Sequence, residues 1–146
     1  MDQHQMLTKI EAIIEQSKVG LLATTDPQGK PRVRWMTPTV IPNRGPSIFA
    51  FSPAQAMKIQ DIEHQPEVKW LIQTHDLTEV ISVRGDTYIL DNPALKTEIL
   101  EILIPHTTRL WTIDLSSTEC VILETVIREA TYYRPQQNIE ETVTFK

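Results

Sequence analysis

The sequence is poor in cysteine and glycine, which removes several classes of site. Its 146 residues include one cysteine and four glycines. One cysteine cannot form a disulfide framework or a cysteine-based metal site, and so few glycines exclude a dinucleotide-binding fingerprint. The four histidines have no ligand spacing, and neither a nucleophile motif nor a carboxylate pair is present. We therefore predict no metal site and assign no catalytic side chain.

An excess of positive charge is also missing. The formal net charge is −5 and the sequence pI is near 5.3. Nucleic-acid binding requires lysine and arginine spread over a whole face, so no nucleic-acid partner is predicted. No apolar stretch is long enough to span a bilayer, and the first residues lack the basic and apolar regions of a signal peptide. We therefore expect a cytoplasmic protein with no membrane partner.

What is present predicts one folded domain over residues 1–146. The chain is 40% hydrophobic and 23% charged, which is ordinary for a globular protein of this length. Apolar residues at three- and four-residue spacing predict an N-terminal helix within residues 1–17 that covers a barrel opening. Residues 135–146 lack a core pattern, so they are predicted to be a tail, either mobile or resting on a partner subunit.

Strand patterns alternate with two further helical patterns. Apolar and β-branched runs predict strands at 19–25, 31–37, 47–51, 67–73, 78–90 and 118–133. Gly85 predicts a bulge in the fifth of these strands. Helices are predicted at 52–66 and 91–103. Neighbouring strands joined by short turns favour a mainly β fold, namely a six-stranded antiparallel barrel with peripheral helices.

The predicted second strand contains two arginines in the stretch "PRVRWMT". The two-residue period of a strand places Arg32, Arg34 and Met36 on one face. Val33 and Trp35 lie on the other face, which is predicted to be core. The arginine face is a candidate anion site.

The arginine pair also has a simpler interpretation. Both side chains can be solvated or paired with acidic residues, for which Asp86 and Glu79 are the candidates. The pattern alone leaves the ligand site and the ion pairs open.

A second candidate site lies at the start of the predicted helix 52–66. Ser52 is predicted to be its N-cap and Gln55 to complete a capping box. The first turn of a helix has unpaired N–H groups that suit a phosphate, and Lys58 can reach back toward that end. The alternative is a simple cap with a surface lysine.

Three stretches in order, "VGLLATTDPQGKPRVRWM", "IFAFSPAQAMKIQDIEHQPEVKWLIQ" and "VISVRGDTYILDNPAL", resemble the FMN-binding split-barrel family related to pyridoxamine 5′-phosphate oxidase. The branch they resemble most is the general stress protein 26-like one. The positions that match the family pattern are Ala23, Thr24, Gly29, Pro31, Arg34, Met36, Phe51, Ser52, Lys58, Pro66 and Val68. The resemblance implies a split β-barrel.

The resemblance also implies FMN as cofactor. Carried over to this chain, Arg34, Ser52 and Lys58 bind the FMN phosphate. The resemblance also implies that the backbone of residues 33–36, which include Val33, Trp35 and Met36, runs alongside the isoalloxazine ring and that Arg32 lies near that ring. Phe51 is the remaining residue implied in the cofactor site. Family members are homodimers with FMN at the subunit interface, so the region of Trp111 is a candidate to complete the site from the partner.

The sequence departs from the family pattern in its phosphate-binding residues and in its substrate motif, so not every property of the family is expected here. Ala56 replaces a phosphate-binding hydroxyl and Met57 replaces a second cation, which leaves retention of FMN open. The segment "TYYRPQQ" lacks the substrate motif of true pyridoxamine phosphate oxidases, so oxidation of vitamin B6 is not expected. The prediction is a flavin-dependent oxidoreductase of unknown substrate and redox partner. The alternatives are a flavin carrier or stress-related sensor without turnover, and a cofactor-free dimeric module.

Overall fold

The computed structural model describes residues 1–103 and 120–146, so the predicted role of Trp111 lies outside the described residues. This part of the chain contains three α-helices and seven strands. Their bounds are α1 Gln3–Ser17, β1 Gly20–Thr25, β2 Pro31–Met36, β3 Ser47–Pro53, α2 Met57–His64, β4 Glu67–Gln73, β5 Val80–Leu90, α3 Pro93–Leu103, β6 Cys120–Arg134 and β7 Ile139–Thr144. None of these helices is long and apolar enough to cross a membrane.

All strand pairs are antiparallel, in the order β2-β1-β4-β5-β6-β3, and β7 pairs with the second half of β6. The predicted mainly β, antiparallel class is confirmed. The seventh strand, β7, lies within the predicted tail, residues 135–146, which was expected to be mobile or to rest on a partner subunit. Its side chains are mostly exposed on both faces, so it has no alternating apolar pattern. Hydrogen bonds to β6 and the buried Phe145 hold this segment in place.

Helix α2 bridges the two ends of this sheet. Asp61 of α2 lies 3.7 Å from Arg34 on β2, and Lys58 of α2 donates a hydrogen bond to Ser52 on β3 at 3.3 Å. Because β2 and β3 are the two ends of the strand order, the sheet must curl to bring both against one short helix. This is the arrangement of a barrel whose wall is interrupted at α2.

The core fills the inside of the curled sheet. Its largest fully buried side chain is Trp70, and Met6, Ile10 and Ile13 of α1 pack into the same core. The predicted N-terminal helix with one buried apolar face is present, and its role of covering a barrel opening stays a prediction. A second apolar cluster lies on the other side of β3 and β6, where Leu95 and Ile99 of α3 pack.

The predicted bulge at Gly85 is confirmed by a register shift between Arg84 and Gly85. A Cβ atom at this position would lie 2.3 Å from the backbone oxygen of Val126 and 2.8 Å from a methyl carbon of Thr125. Two backbones thus approach each other more closely than any side chain would allow.

Candidate functional site

A tight hairpin between β1 and β2 positions both arginines. The Asp26 carboxylate accepts hydrogen bonds from the backbone N–H groups of Gln28 at 2.9 Å and Lys30 at 2.8 Å, and these bonds lower the pKa of Asp26. Gly29 adopts a φ of +85°, which favours glycine. The resulting register places Arg34 opposite Leu22 on β1.

The side chains of β2 alternate between two faces as the strand period predicted. The face that was predicted to be buried is exposed, and the arginine face lies toward the interior. Arg32, Arg34 and Met36 face α2 and the barrel, where Met36 is 7% exposed. Val33 is 61% and Trp35 50% exposed, so the prediction that this face is core was wrong. The reason is that β2 ends the sheet and its outer face has no covering element among the described residues.

The N-cap of helix α2 lies four residues later than the sequence predicted. Ser52 and Pro53 complete β3, where Ser52 is paired with Val121 and fully buried. The helix begins at Met57, and its N-cap residue Ala56 makes no side-chain cap. The predicted capping box at Ser52 was therefore wrong, because strand pairing with β6 determines the conformation of these residues instead.

The later start of α2 still brings Lys58 to Ser52. The Ser52 hydroxyl accepts a hydrogen bond from Lys58 Nζ at 3.3 Å and donates to the carbonyl of Pro53 at 3.0 Å. Burial, with repulsion from Arg34, lowers the pKa of Lys58. Burial also lowers the pKa of Arg34, and the charge of Asp61 opposes this shift. Two partly buried cations thus lie close together.

Asp61 is the site residue that the sequence analysis missed. It is 1% exposed and lies 3.6 Å from Arg32 and 3.7 Å from Arg34. The Thr24 hydroxyl donates a hydrogen bond to its Oδ2 atom at 2.9 Å. A signal was available, because Asp61 follows Lys58 by three positions and therefore shares its helix face.

The acidic partners that the sequence suggested for the arginines are occupied elsewhere. Asp86 pairs with Arg128 at 3.1 Å. Glu79 pairs with Lys9 at 2.8 Å and accepts a hydrogen bond from Tyr132. The suggestion of Asp86 and Glu79 was therefore wrong, although pairing with acids as such does occur.

Arg32 is held more loosely than Arg34. It lies 3.5 Å from Asp26 and 3.6 Å from Asp61, and its Nη1 atom contacts the sulfur of Met57 at 3.4 Å. About a third of the Arg32 side chain remains exposed. A cavity of about 270 Å³ lies at the β1–β2 turn, lined by Thr25, Asp26, Pro27, Gly29, His64 and Gln65.

We call Arg32, Arg34, Lys58 and Ser52 the cation cluster. Its two arginines pair with the carboxylates of Asp26 and Asp61. Lys58 has no carboxylate partner among the described residues, so one positive charge is in excess. Partly desolvated cations beside a hydroxyl suit an oxyanion such as a phosphate group. No group of side chains able to hold a metal ion occurs within the described ranges.

The remaining predicted site residues are not part of the cation cluster. Phe51 is 5% exposed and packs in the second apolar cluster, on the α3 side of β3. Met36 belongs to the main core, and the side chains of Val33 and Trp35 point outward. The structure thus brings Arg34, Ser52 and Lys58 together and separates them from Phe51 and Trp35.

Comparisons with known proteins agree with this architecture. Residues 6–111 match the family model described as pyridoxamine 5′-phosphate oxidase. A comparison with curated protein sequences finds no significant match.

Solved structures share the fold. The general stress protein 26 from Bacillus anthracis is 22% identical with a TM-score of 0.74, over 97% of this chain and 99% of that one. A protein named F420 reductase is 21% identical with a TM-score of 0.68, over 85% and 95% of the two chains. A heme-binding protein from Mycobacterium smegmatis is 13% identical with a TM-score of 0.74, over 94% of this chain and 57% of that one.

Proposed function

The chain belongs to the pyridoxamine 5′-phosphate oxidase family, and from this premise we propose that it binds FMN with the phosphate at Arg34, Ser52 and Lys58. One observation carries the proposal. Lys58 of α2 donates a hydrogen bond to the buried hydroxyl of Ser52 on β3, and Arg34 on β2 lies near enough to lower the pKa of Lys58 by charge repulsion. A bound dianion would relieve that repulsion.

The residues present fit a phosphate group in spite of the two departures from the family pattern. Ala56 offers no hydroxyl, but the hydroxyl of Ser52 lies against Lys58 Nζ. Met57 offers no charge, but its sulfur contacts the guanidinium group of Arg32. Arg32 is therefore a third cation beside Arg34 and Lys58. Each charge-assisted hydrogen bond to the phosphate would contribute about 1.5–3 kcal/mol.

We further propose that the protein is a flavin-dependent oxidoreductase. When bound, FMN supplies the electron transfer, and the protein supplies position and electrostatic field. Arg32 is the residue through which a positive field would reach the flavin. Structural neighbours named as an F420 reductase and a heme-binding protein support a cofactor-binding role for the fold.

We also propose that the protein is a homodimer with FMN near the subunit interface. The support is the outer face of β2 and its neighbours, which we define by Val33, Trp35, Leu21 and Leu71. Strand register places Leu21 between Trp35 and Leu71, and Val33, Trp35 and Leu71 are all more than a third exposed. A continuous apolar face of this kind marks a contact surface.

The experiment that tests FMN binding is a titration of the purified protein with FMN and, separately, with riboflavin. We expect FMN to bind more tightly, because only FMN has the phosphate. Lys58→Ala should weaken FMN binding about tenfold or more and leave riboflavin affinity within about twofold. A protein that ignores added FMN would refute the proposal, and equal affinity for the two flavins would refute the phosphate assignment.

Lys96→Ala is the matched control for Lys58→Ala. Lys96 also makes one polar side-chain contact, to Asp91 at 2.8 Å, but it lies on α3 away from the cation cluster. Its replacement should leave FMN affinity unchanged. Anaerobic mixing of the flavin-loaded protein with nicotinamide donors separates the oxidoreductase from a carrier. Bleaching faster than that of free FMN supports turnover, and no bleaching by any donor favours the carrier.

A further inference from the structure

The guanidinium group of Arg34 is anchored to the neighbouring strand on one side. Its Nη1 atom donates hydrogen bonds to the Thr24 hydroxyl oxygen at 2.7 Å and to the carbonyl oxygen of Leu22 at 3.2 Å. Both acceptors belong to β1. The planar group is therefore oriented by bonds that a ligand does not provide.

The direction of the Thr24 hydroxyl is determined by Asp61. A hydroxyl has one proton to donate and two lone pairs with which to accept. Thr24 donates its proton to Asp61 Oδ2 at 2.9 Å, and an ionised carboxylate can only accept. The lone pairs of Thr24 therefore remain available to accept from Arg34. We call this chain of hydrogen bonds, in which Arg34 donates to Thr24 and Thr24 donates to Asp61, the relay.

Burial protects the hydrogen bond between Thr24 and Asp61 from competition by water. Thr24 is 2% and Asp61 1% exposed, so water does not offer either group a competing partner. Asp61 approaches both arginines only to 3.6–3.7 Å, beyond direct hydrogen-bond distance. Within the part of the chain that the structure describes, the direct side-chain hydrogen bond of Asp61 is the one to Thr24.

We propose that Asp61 and Thr24 are positioning residues that hold the Arg34 guanidinium in its binding orientation before the ligand arrives. This inference rests on the proposed function, because the ligand in question is the FMN phosphate. Preorganisation reduces the ordering that a side chain undergoes on binding. The relay therefore acts on the affinity for the phosphate and not on the affinity for the ring.

The first test uses the ligand-free protein and does not depend on FMN. Nitrogen-15 NMR of arginine side chains reports rotation of the guanidinium group, and the spectrum of Arg34→Lys identifies the Arg34 signals. In the wild type and in Thr24→Ser, which keeps the hydroxyl, we expect separate signals of a restrained group. In Thr24→Val and Asp61→Asn we expect averaged signals. Equal signals in all four proteins would overturn the inference.

The second test measures binding. Thr24→Val leaves the charge of the site unchanged, and we expect it to weaken FMN about three- to tenfold. Thr24→Ser should bind FMN within about twofold of the wild type, and riboflavin affinity should be equal in all three. If the wild type binds FMN but Thr24→Val binds it equally well, the inference fails and the proposed function stands. If the wild type does not bind FMN, the proposed function fails and the ligand-free spectra decide the relay.

Discussion

Removing the charge of Lys58 or of Arg34 should weaken FMN binding equally, but only the removal of Arg34 should destabilise the ligand-free protein. Lys58→Met and Arg34→Met make a matched pair, since methionine keeps much of the apolar stem of both side chains. Each variant loses a phosphate contact, so FMN affinity should fall about tenfold or more in both. The difference lies in what each cation contacts within the protein.

Arg34→Met removes one of the positive charges that balance the carboxylate of Asp61. The carboxylate is 1% exposed, and the cation that remains beside it among the described residues is Arg32 at 3.6 Å. Loss of one partner of a fully buried pair costs about 3–5 kcal/mol. Here Arg34 is 22% exposed and lies 3.7 Å from Asp61, so solvent screens part of the interaction. We therefore expect a loss of about 1–3 kcal/mol in the free energy of unfolding.

Lys58→Met should leave the ligand-free protein as stable or stabilise it by up to about 1 kcal/mol. Among the described residues, Lys58 contacts no carboxylate, and burial together with Arg34 disfavours its charge. Urea unfolding of flavin-free protein measures both effects, and flavin must be removed because a bound ligand adds stability by mass action. An Arg34→Met variant as stable as the wild type, or a Lys58→Met variant destabilised by more than about 1 kcal/mol, would refute this reasoning.

Three further predictions concern other parts of the chain. Trp35→Lys should convert the proposed dimer to a monomer in light scattering, whereas the equally exposed Tyr88 should tolerate the same change. Gly85→Ala should cost about 1–3 kcal/mol in urea unfolding, because its Cβ would lie 2.3 Å from a backbone oxygen. Burial and the hydrogen bond to Glu79 raise the pKa of Tyr132 to about 12. The protonated Tyr132 hydroxyl should therefore contribute to the free energy of unfolding fully below about pH 10, and this contribution should disappear as the pH rises through 12. Urea unfolding of Tyr132→Phe should lack this pH dependence.

Local patterns predicted the elements of the fold well. The amphipathic spacing of α1, the β-branched composition of β6 and the glycine at the β5 bulge each determine a local conformation, and all three predictions were confirmed. The strand β7 was not predicted within the tail, because it forms by pairing with β6. Its exposed residues have no apolar alternation, and hydrogen bonds to β6 define the strand.

In the candidate site, too, local patterns predicted some features and the tertiary structure determined the others. The sequence by itself determined which residues share a face of β2, because the two-residue period of a strand follows from backbone geometry. It also supplied Arg34, Ser52 and Lys58 as candidates. Only the tertiary structure decided that Ser52 ends a strand and that Trp35 faces outward. Which face is buried depends on the elements packed against it, and whether a strand or a helix forms at Ser52 depends on pairing with a distant β6. The relay from Asp61 through Thr24 to Arg34 joins α2, β1 and β2, so it exists only when the sheet has curled around that helix.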